Sequence, residues 1–455
     1  MRRALVHLCL PMAAALIVGA VYNVVNAGFI GALHDTTLFA AITLGSPILG
    51  VVLGIGDVFG VGGSALSARL LGASDQDPGK RAEIKHVSSF AFWGSVLTGV
   101  VVGGLGLLLL HPLVLALGAR ASVVPAASAF FAVTLAFVPV LAAAICLEQL
   151  VRAEGASRQA MTGLIASTLA SVVLDVLFIL VLRWGVAGAA LSTGLANVVS
   201  IVYFATWLTR RSEDASLSPR WFTLRAAVVR PVLGVGASAL LQAGIVIVSA
   251  LVINTLAAGY GQGPLAALGV GVRIAQVPEF LVMGVTLGVL PLLACAYGKG
   301  DSRRLRSALR ASAITVGGIG ILFSAIVLLF RDQVFAAFVA DPAVLPIGVT
   351  VLAAQLVAMI ANGFTGLITS LFQATGRAAA ATGLSLAQAL LFFPIVFAGN
   401  AVFGLPGVIW ALTVTESAVC IVGVVLWLVS PPAIARGLAE GSEERADQAL
   451  ESVDG

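Results

Sequence analysis

Residues 87–110 read VSSFAFWGSVLTGVVVGGLGLLLL, a run without one charged side chain. As an α-helix rising about 1.5 Å per residue it reaches about 36 Å, more than the roughly 30 Å hydrocarbon core of a bilayer. Ile42–Val61 and Leu309–Phe330 read the same way, with almost no charge over comparable lengths. Composition agrees: 60% of residues are hydrophobic and 10% are charged, whereas a soluble chain carries about 25% charged residues to solvate its surface. The solvent of this chain is lipid. Lipid satisfies no backbone N–H or C=O, so each long apolar run is predicted to close its own hydrogen bonds as a helix.

Polar punctuation predicts twelve spans, near 4–31, 38–70, 87–110, 121–150, 158–182, 185–209, 228–257, 264–297, 309–330, 343–373, 378–402 and 404–429. The first run is too long for a signal-peptide core and lacks a small-residue cleavage site, so it is expected to stay as helix 1. With twelve spans, 21 of the 25 Lys and Arg residues fall on the side of the N-terminus, the even–odd loops and the C-terminus. The other side holds Arg120, Arg183 and Arg331, and Arg273 lies within a span. The positive-inside rule then places both termini in the cytoplasm of a multi-pass protein of the inner (plasma) membrane. That topology accounts for the basic balance, so nucleic-acid binding is not implied. The four cysteines, Cys9, Cys146, Cys295 and Cys420, lie in or beside apolar runs with neither metal spacing nor a secretory pattern; they read as packing residues.

The chain divides into a six-helix half, 1–209, a cytoplasmic linker, 210–227, a second six-helix half, 228–430, and a polar tail, 431–455, expected to be disordered. The halves echo one another. Leu38-Phe39-Ala40-Ala41 parallels Pro264-Leu265-Ala266-Ala267, and Arg152-Ala153-Glu154-Gly155 parallels Gln373-Ala374-Thr375-Gly376. Thr162-Gly163-Leu164 recurs as Thr382-Gly383-Leu384, and Gly185-Val186-Ala187-Gly188 as Gly404-Leu405-Pro406-Gly407. The offsets are 226, 221, 220 and 219 residues, a nearly constant register. An even number of helices per half makes the repeat parallel, related by a pseudo-two-fold axis along the membrane normal. Its expected product is a cavity between two lobes, which is transporter architecture.

The loop Ala68–Arg81 lacks the basic Gly–Asp–Arg motif of the major facilitator family. Other stretches form an ordered set: Pro11 with Val21-Tyr22-Asn23-Val24-Val25-Asn26 and Phe29-Ile30-Gly31; Gly60-Val61-Gly62-Gly63-Ser64 through Arg69-Leu70-Leu71-Gly72; Arg152-Ala153-Glu154-Gly155; and Gly188-Ala189-Ala190-Leu191-Ser192-Thr193. On these the chain resembles the multidrug and toxic-compound extrusion family, in its MepA-like branch, through both halves to about Trp427. The resemblance implies two V-shaped lobes, alternating access, and efflux of small organic compounds, often cationic and aromatic, in exchange for H⁺ or Na⁺. It implies no cofactor and no enzymatic reaction. A monomer suffices, since both lobes are on one chain.

Ionisable groups in a bilayer are costly, and each is a functional candidate by default. Asn26, Asp175 and Thr193 are predicted in the outer half of the first lobe, with Ser171 four residues before Asp175 on the same helical face. They match the positions where the family places a cation-binding set of two carboxylates, an amide and a threonine. Asn26 stands where the family has an aspartate and Ser171 where it has an asparagine, so Asp175 lacks the like-charge neighbour of that pattern. In the second lobe Gln242, Glu279 and Glu416 are predicted near mid-membrane, where the two glutamates could bind a proton, Na⁺ or a cationic substrate. The alternative for these carboxylates is a static pair with Arg273. Asp57 is expected to line the inward-facing cavity or to cap a helix break near Gly54 and Gly56.

Tyr22 and Trp410 are candidate cavity aromatics for an apolar cation, against the plainer reading that they pack on lipid or neighbouring helices. Glu148 and Glu154, beside Arg152 and Arg158 at the cytoplasmic end of helix 4, are expected to be solvated interface charges. Gly54–Gly63 follows no strand and is read as close helix packing rather than a nucleotide loop. Pro139, Pro291 and Pro394 are expected to kink their helices. No metal-ligating, hydrolytic or redox constellation is visible. Two other functions remain open: a flippase for a lipid-linked sugar or other lipid, and a non-transporting membrane sensor.

Overall fold

The computed structural model describes residues 8–19, 21–22, 41–42, 44–75, 77–117, 119, 123–331, 333 and 345–429. Among them every regular element is helical. In chain order these are α1 (Leu8–Gly19), α2 (Ser46–Ala73), α3 (Gly79–Leu108), α4 (Val124–Ala153), α5 (Ser157–Asp175), α6 (Gly185–Arg211), α7 (Ala226–Ala258), α8 (Gln262–Gly298), α9 (Ser302–Leu329), α10 (Leu345–Ala374), α11 (Ala378–Phe403) and α12 (Leu405–Val429). A short helix, Leu110–Ala116, follows α3. Eleven helices are long and apolar enough to cross a membrane, while α1 is apolar but shorter over its described residues. The protein is an all-helical membrane protein. Asn26, the predicted end of helix 1 at Gly31 and the polar tail lie outside the described residues.

Two helices begin earlier than their apolar runs. α3 starts at Gly79 rather than 87, where the Asp77 carboxylate accepts from the Gly79 N–H at 2.9 Å. α9 starts at Ser302 rather than 309, capped by Asp301 accepting from the Arg304 N–H at 2.8 Å. Hydropathy marks the part of a helix that lipid must cover, whereas caps mark where the helix starts. The chain continues helically through Pro139, Pro291 and Pro394. At two of the sequence parallels both halves place a positive-φ glycine. Gly155 (φ +76°) and Gly376 (φ +71°) end α4 and α10 in the left-handed region, each followed by an N–H that reaches back across the turn. Gly185 (φ +57°), the first residue of α6, and Gly404 (φ +65°), just before α12, also have positive φ.

The chain forms two compact units, Ala14–Gly244 and Met1–Ala13 with Ile245–Gly455. In the first, α4 is central and packs on α2, α3 and α6, while α2 packs on α3 and α5 on α6. Glycines bring these helices close: Gly56 faces Ile145, Gly60 faces Gln149 and Gly63 faces Ala91. α2 crosses the first half of α7 backbone to backbone, Gly62 lying on Val232 and Gly236 on Val58. In the second unit, α10 packs on α8, α9 and α12, α8 on α9, and α11 on α12. Gly284 and Gly288 of α8 seat Ala13 and Cys9 of α1, and the Cys9 thiol donates to the Val285 carbonyl at 3.7 Å.

The connection from Ser212 to Arg225 is strapped along α3 within the first unit. Ser88 both donates to the Ser216 carbonyl (3.1 Å) and accepts from its N–H (3.0 Å), while Ser89 donates to the Ser218 carbonyl at 2.8 Å. Trp93 Nε1 donates to the Leu217 carbonyl at 2.9 Å, and His86 meets the Trp221 carbonyl at 2.8 Å. Arg81 pairs with Asp214 at 3.5 Å and Lys85 lies 5.7 Å from the Trp221 ring.

Candidate functional site

Residues of α5 and α6, with Tyr22 just past α1, bring a carboxylate and four hydroxyls together in the first unit. Asp175 is fully buried at the end of α5. Tyr22 donates its hydroxyl to Asp175 Oδ2 at 3.0 Å. The Ser171 and Thr193 side chains face that same tyrosine hydroxyl, and Thr193 also donates to the Ala189 carbonyl at 3.1 Å. Ser192, fully buried, donates to the Ser171 carbonyl at 3.0 Å and lies beside the Asp175 carboxylate. Asp175 Oδ1 is buried and has no hydrogen-bond partner among the described residues, and no basic side chain pairs with this carboxylate there. A single π-helical turn, Val176–Val181, follows immediately. Such turns are rare and recur at functional sites.

Sequence reasoning grouped Asp175, Ser171 and Thr193, and these do converge. It treated Tyr22 only as a cavity aromatic and missed it as the donor to Asp175. It also missed Ser192, whose place beside Thr193 and one helix from Ser171 was the available signal. Asn26 lies outside the described residues.

In the second unit Glu416 of α12 is 3% exposed, and its Oε1 accepts from Gln388 Nε2 of α11. Glu416 Oε2 is buried without a partner among the described residues. Glu279 of α8 lies within electrostatic reach of Glu416 and is itself exposed. Arg273, also exposed, forms no ion pair with either glutamate among the described residues. Gln388 is the partner that the sequence left unread, although a lone amide in the apolar run Ala387–Phe393 marked it. Gln242, grouped with these glutamates by depth, belongs to the other compact unit. Trp410 is 38% exposed on α12.

Two expectations need correction. The helix break near Gly54 and Gly56 is absent: α2 runs unbroken from Ser46 to Ala73, and Asp57 instead accepts from Gln149 Nε2 of α4 at 3.3 Å. Glu148 is not solvated. It and Arg152 form an ion pair at 3.3 Å with side chains 14% and 4% exposed, enclosed because α4 is the central helix of its unit. Glu154, just past the end of α4, is half-buried and accepts from the Ser212 hydroxyl of the strap. Burial pushes its carboxyl up to about 7, with the neighbouring Asp214 carboxylate adding to the rise and the Ser212 hydrogen bond opposing it.

Comparison with known proteins gives this geometry a family. The sequence profile named MatE matches residues 11–177 and 239–398. A multidrug export protein MepA of Staphylococcus saprophyticus is 31% identical over 415 residues, covering 91% of each chain. The MepA protein of Staphylococcus aureus strain NCTC 8325 is 30% identical over the same share. The fold superposes on a MATE crystal structure in complex with MaL6 with TM-score 0.87 at 22% identity, covering 95% of this chain and 97% of that one. A MOP-superfamily transporter from Pyrococcus furiosus gives TM-score 0.84 at 22% identity over 97% and 96%. The profile covers well over half of the chain and the relatives nearly all of it, so the chain belongs to the MATE family, whose members are membrane transporters and not enzymes.

Proposed function

We propose that this protein is a secondary active exporter of small organic compounds, often cationic and aromatic, that exchanges substrate for H⁺ or Na⁺ by alternating access between two six-helix lobes. The observation that carries the reading is the Asp175 centre: a fully buried carboxylate, held by Tyr22, with one oxygen unpartnered among the described residues. An ionised carboxylate in a membrane interior is costly unless something compensates it. A proton or Na⁺ arriving at Oδ1 supplies that compensation, and its departure withdraws it. The centre therefore differs in energy between loaded and empty states, as an ion-driven switch requires. Glu416, with an oxygen of its own unpartnered among the described residues, and Glu279 are the corresponding candidates in the second unit. Asp57, Gln242, Arg273, Tyr22 and Trp410 are the proposed cavity-facing groups.

The name of the relatives, multidrug export protein, supports the substrate class. The Lys and Arg distribution supports twelve spans in the plasma membrane with both termini cytoplasmic. The repeated sequence register and the matching pattern of helix pairs support the two-lobe description. The test is efflux of a fluorescent organic cation from proteoliposomes under an imposed pH gradient and, separately, an imposed Na⁺ gradient. The reading expects flux under one of them, lost in Asp175→Asn. Flux under neither gradient, with scrambling of a labelled lipid instead, would replace it with a flippase. Ligand binding without any flux would replace it with a sensor.

A further inference from the structure

α2 and α4 enclose a charged cluster apart from the Asp175 centre. Asp57 accepts from Gln149 at 3.3 Å, Glu148 pairs with Arg152 at 3.3 Å, and both Glu148 and Arg152 lie within electrostatic reach of Asp57. Cys146 is the remaining titratable group that faces Asp57 among the described residues. Gly56 and Gly60 close the seam, lying against Ile145 and Gln149. Two carboxylates thus share one guanidinium inside a span. With all three ionised, these groups sum to one negative charge, which membrane burial penalises.

The second half shows that the fold does not need these charges. At the repeat register, Glu148, Gln149 and Arg152 correspond to Thr369, Ser370 and Gln373, and Asp57 corresponds to Met283. Thr369, Ser370 and Gln373 are each buried, and α8 packs on α10 as α2 packs on α4. The same helix contact is built there from neutral side chains. The charges of the first half are therefore an addition to the scaffold.

We propose that the Asp57–Glu148–Arg152 cluster is a proton-binding site separate from Asp175, in which Asp57 and Glu148 hold one proton between them and release it as the surrounding pH rises. The step is a simple exchange: a carboxylate takes a proton to become a carboxylic acid, and the reverse returns it to water. Gln149 positions Asp57 through its amide. The site lies toward the Arg152–Gly155 turn, on the side assigned above to the cytoplasm, so its proton would exchange with that compartment.

The test needs no transport. Infrared difference spectra of the full-length protein in lipid, acid minus alkaline, report protonated carboxyl groups directly. Asp57→Asn and Glu148→Gln should each remove or displace the same band, and each should take up about one proton fewer per chain between the two pH values, as linkage counts them. Asp175→Asn and Glu416→Gln should leave that band in place. If Asp57→Asn and Glu148→Gln both melt with a single transition yet leave band and proton count unchanged, the cluster is a static ion pair and the proposal fails. Should Asp57→Asn not fold, Glu148→Gln decides alone. Because the readout is spectroscopic, failure of the exporter reading leaves this result standing, and the reverse also holds.

Discussion

Gly62→Ala tests the closest helix crossing in the first unit. A methyl group at that position would lie 2.0 Å from the Val232 carbonyl oxygen, 1.4 Å short of the 3.4 Å at which ordinary contact begins. The obstacle is backbone, so no rotamer change relieves it and α7 must move away from α2. Overpacking a well-filled interior costs about 1–3 kcal/mol, and a backbone obstacle places this change near the top of that range. Alanine recovers about 1 kcal/mol through helix propensity, leaving a net loss of about 2 kcal/mol. For a compact unit of this size that lowers Tm by about 4–8 °C. Thermal unfolding of the purified full-length protein, followed by tryptophan fluorescence, measures it. Gly236→Ala meets the Val58 carbonyl at the same 2.0 Å and should cost a similar amount. The double variant should cost less than the two together, because one separation of the helices accommodates both methyl groups. Gly104→Ala, with nothing within 4 Å of the added carbon, is the control and should not melt lower. A Gly62→Ala protein that unfolds with the wild type would refute the backbone-to-backbone crossing.

Tyr22→Phe removes the donor to Asp175, a hydrogen bond to a charged group being worth about 1.5–3 kcal/mol; gradient-driven efflux, followed across pH, should weaken. An unchanged profile would show that Tyr22 does not act on Asp175. Gln388→Ala leaves the buried Glu416 without its donor and should cost about 1–3 kcal/mol by thermal melt, a loss that Glu416→Gln should largely suppress. Glu154 gives a pH signature of its own. Its folded-state value, about 7, lies above the ordinary glutamate value of 4.5, so its stabilising contribution is complete below the latter and is lost as pH rises through the former. Wild-type Tm should therefore fall across that window more than the Tm of Glu154→Gln, and parallel curves would contradict the assignment.

The spans were legible because lipid leaves the backbone one solution, and a run such as Val87–Leu110 declares it without help from any partner. Helix starts were less legible. Asp301 caps α9, and Asp77 accepts from the Gly79 N–H at the start of α3, in polar sequence that hydropathy reads as loop. The Asp175 centre was half legible: Ser171 and Thr193 follow from helical spacing and family position, whereas Tyr22 and Ser192 become partners only when three helices are packed. The same limit explains Glu148 and Arg152. Charges at a predicted span end look solvated until the helix carrying them proves to be the central one. The strap along α3 had no sequence signature at all, since serine hydroxyls and backbone carbonyls carry its contacts.

The π-helical turn after Asp175 has a counterpart in the arithmetic of the chain. From Thr162 to Gly185 the first half runs 23 positions, while Thr382 to Gly404 spans 22. The extra residue falls in the stretch that contains Val176–Val181, and α11 passes through the corresponding region as an uninterrupted α-helix. A π turn closes its hydrogen bonds one residue later than an α turn, so it holds an extra residue in the wider turn. The two halves thus differ here by the equivalent of a single codon. Grafting an Asp175-like centre onto α11 would therefore require widening one of its turns as well as exchanging its side chains.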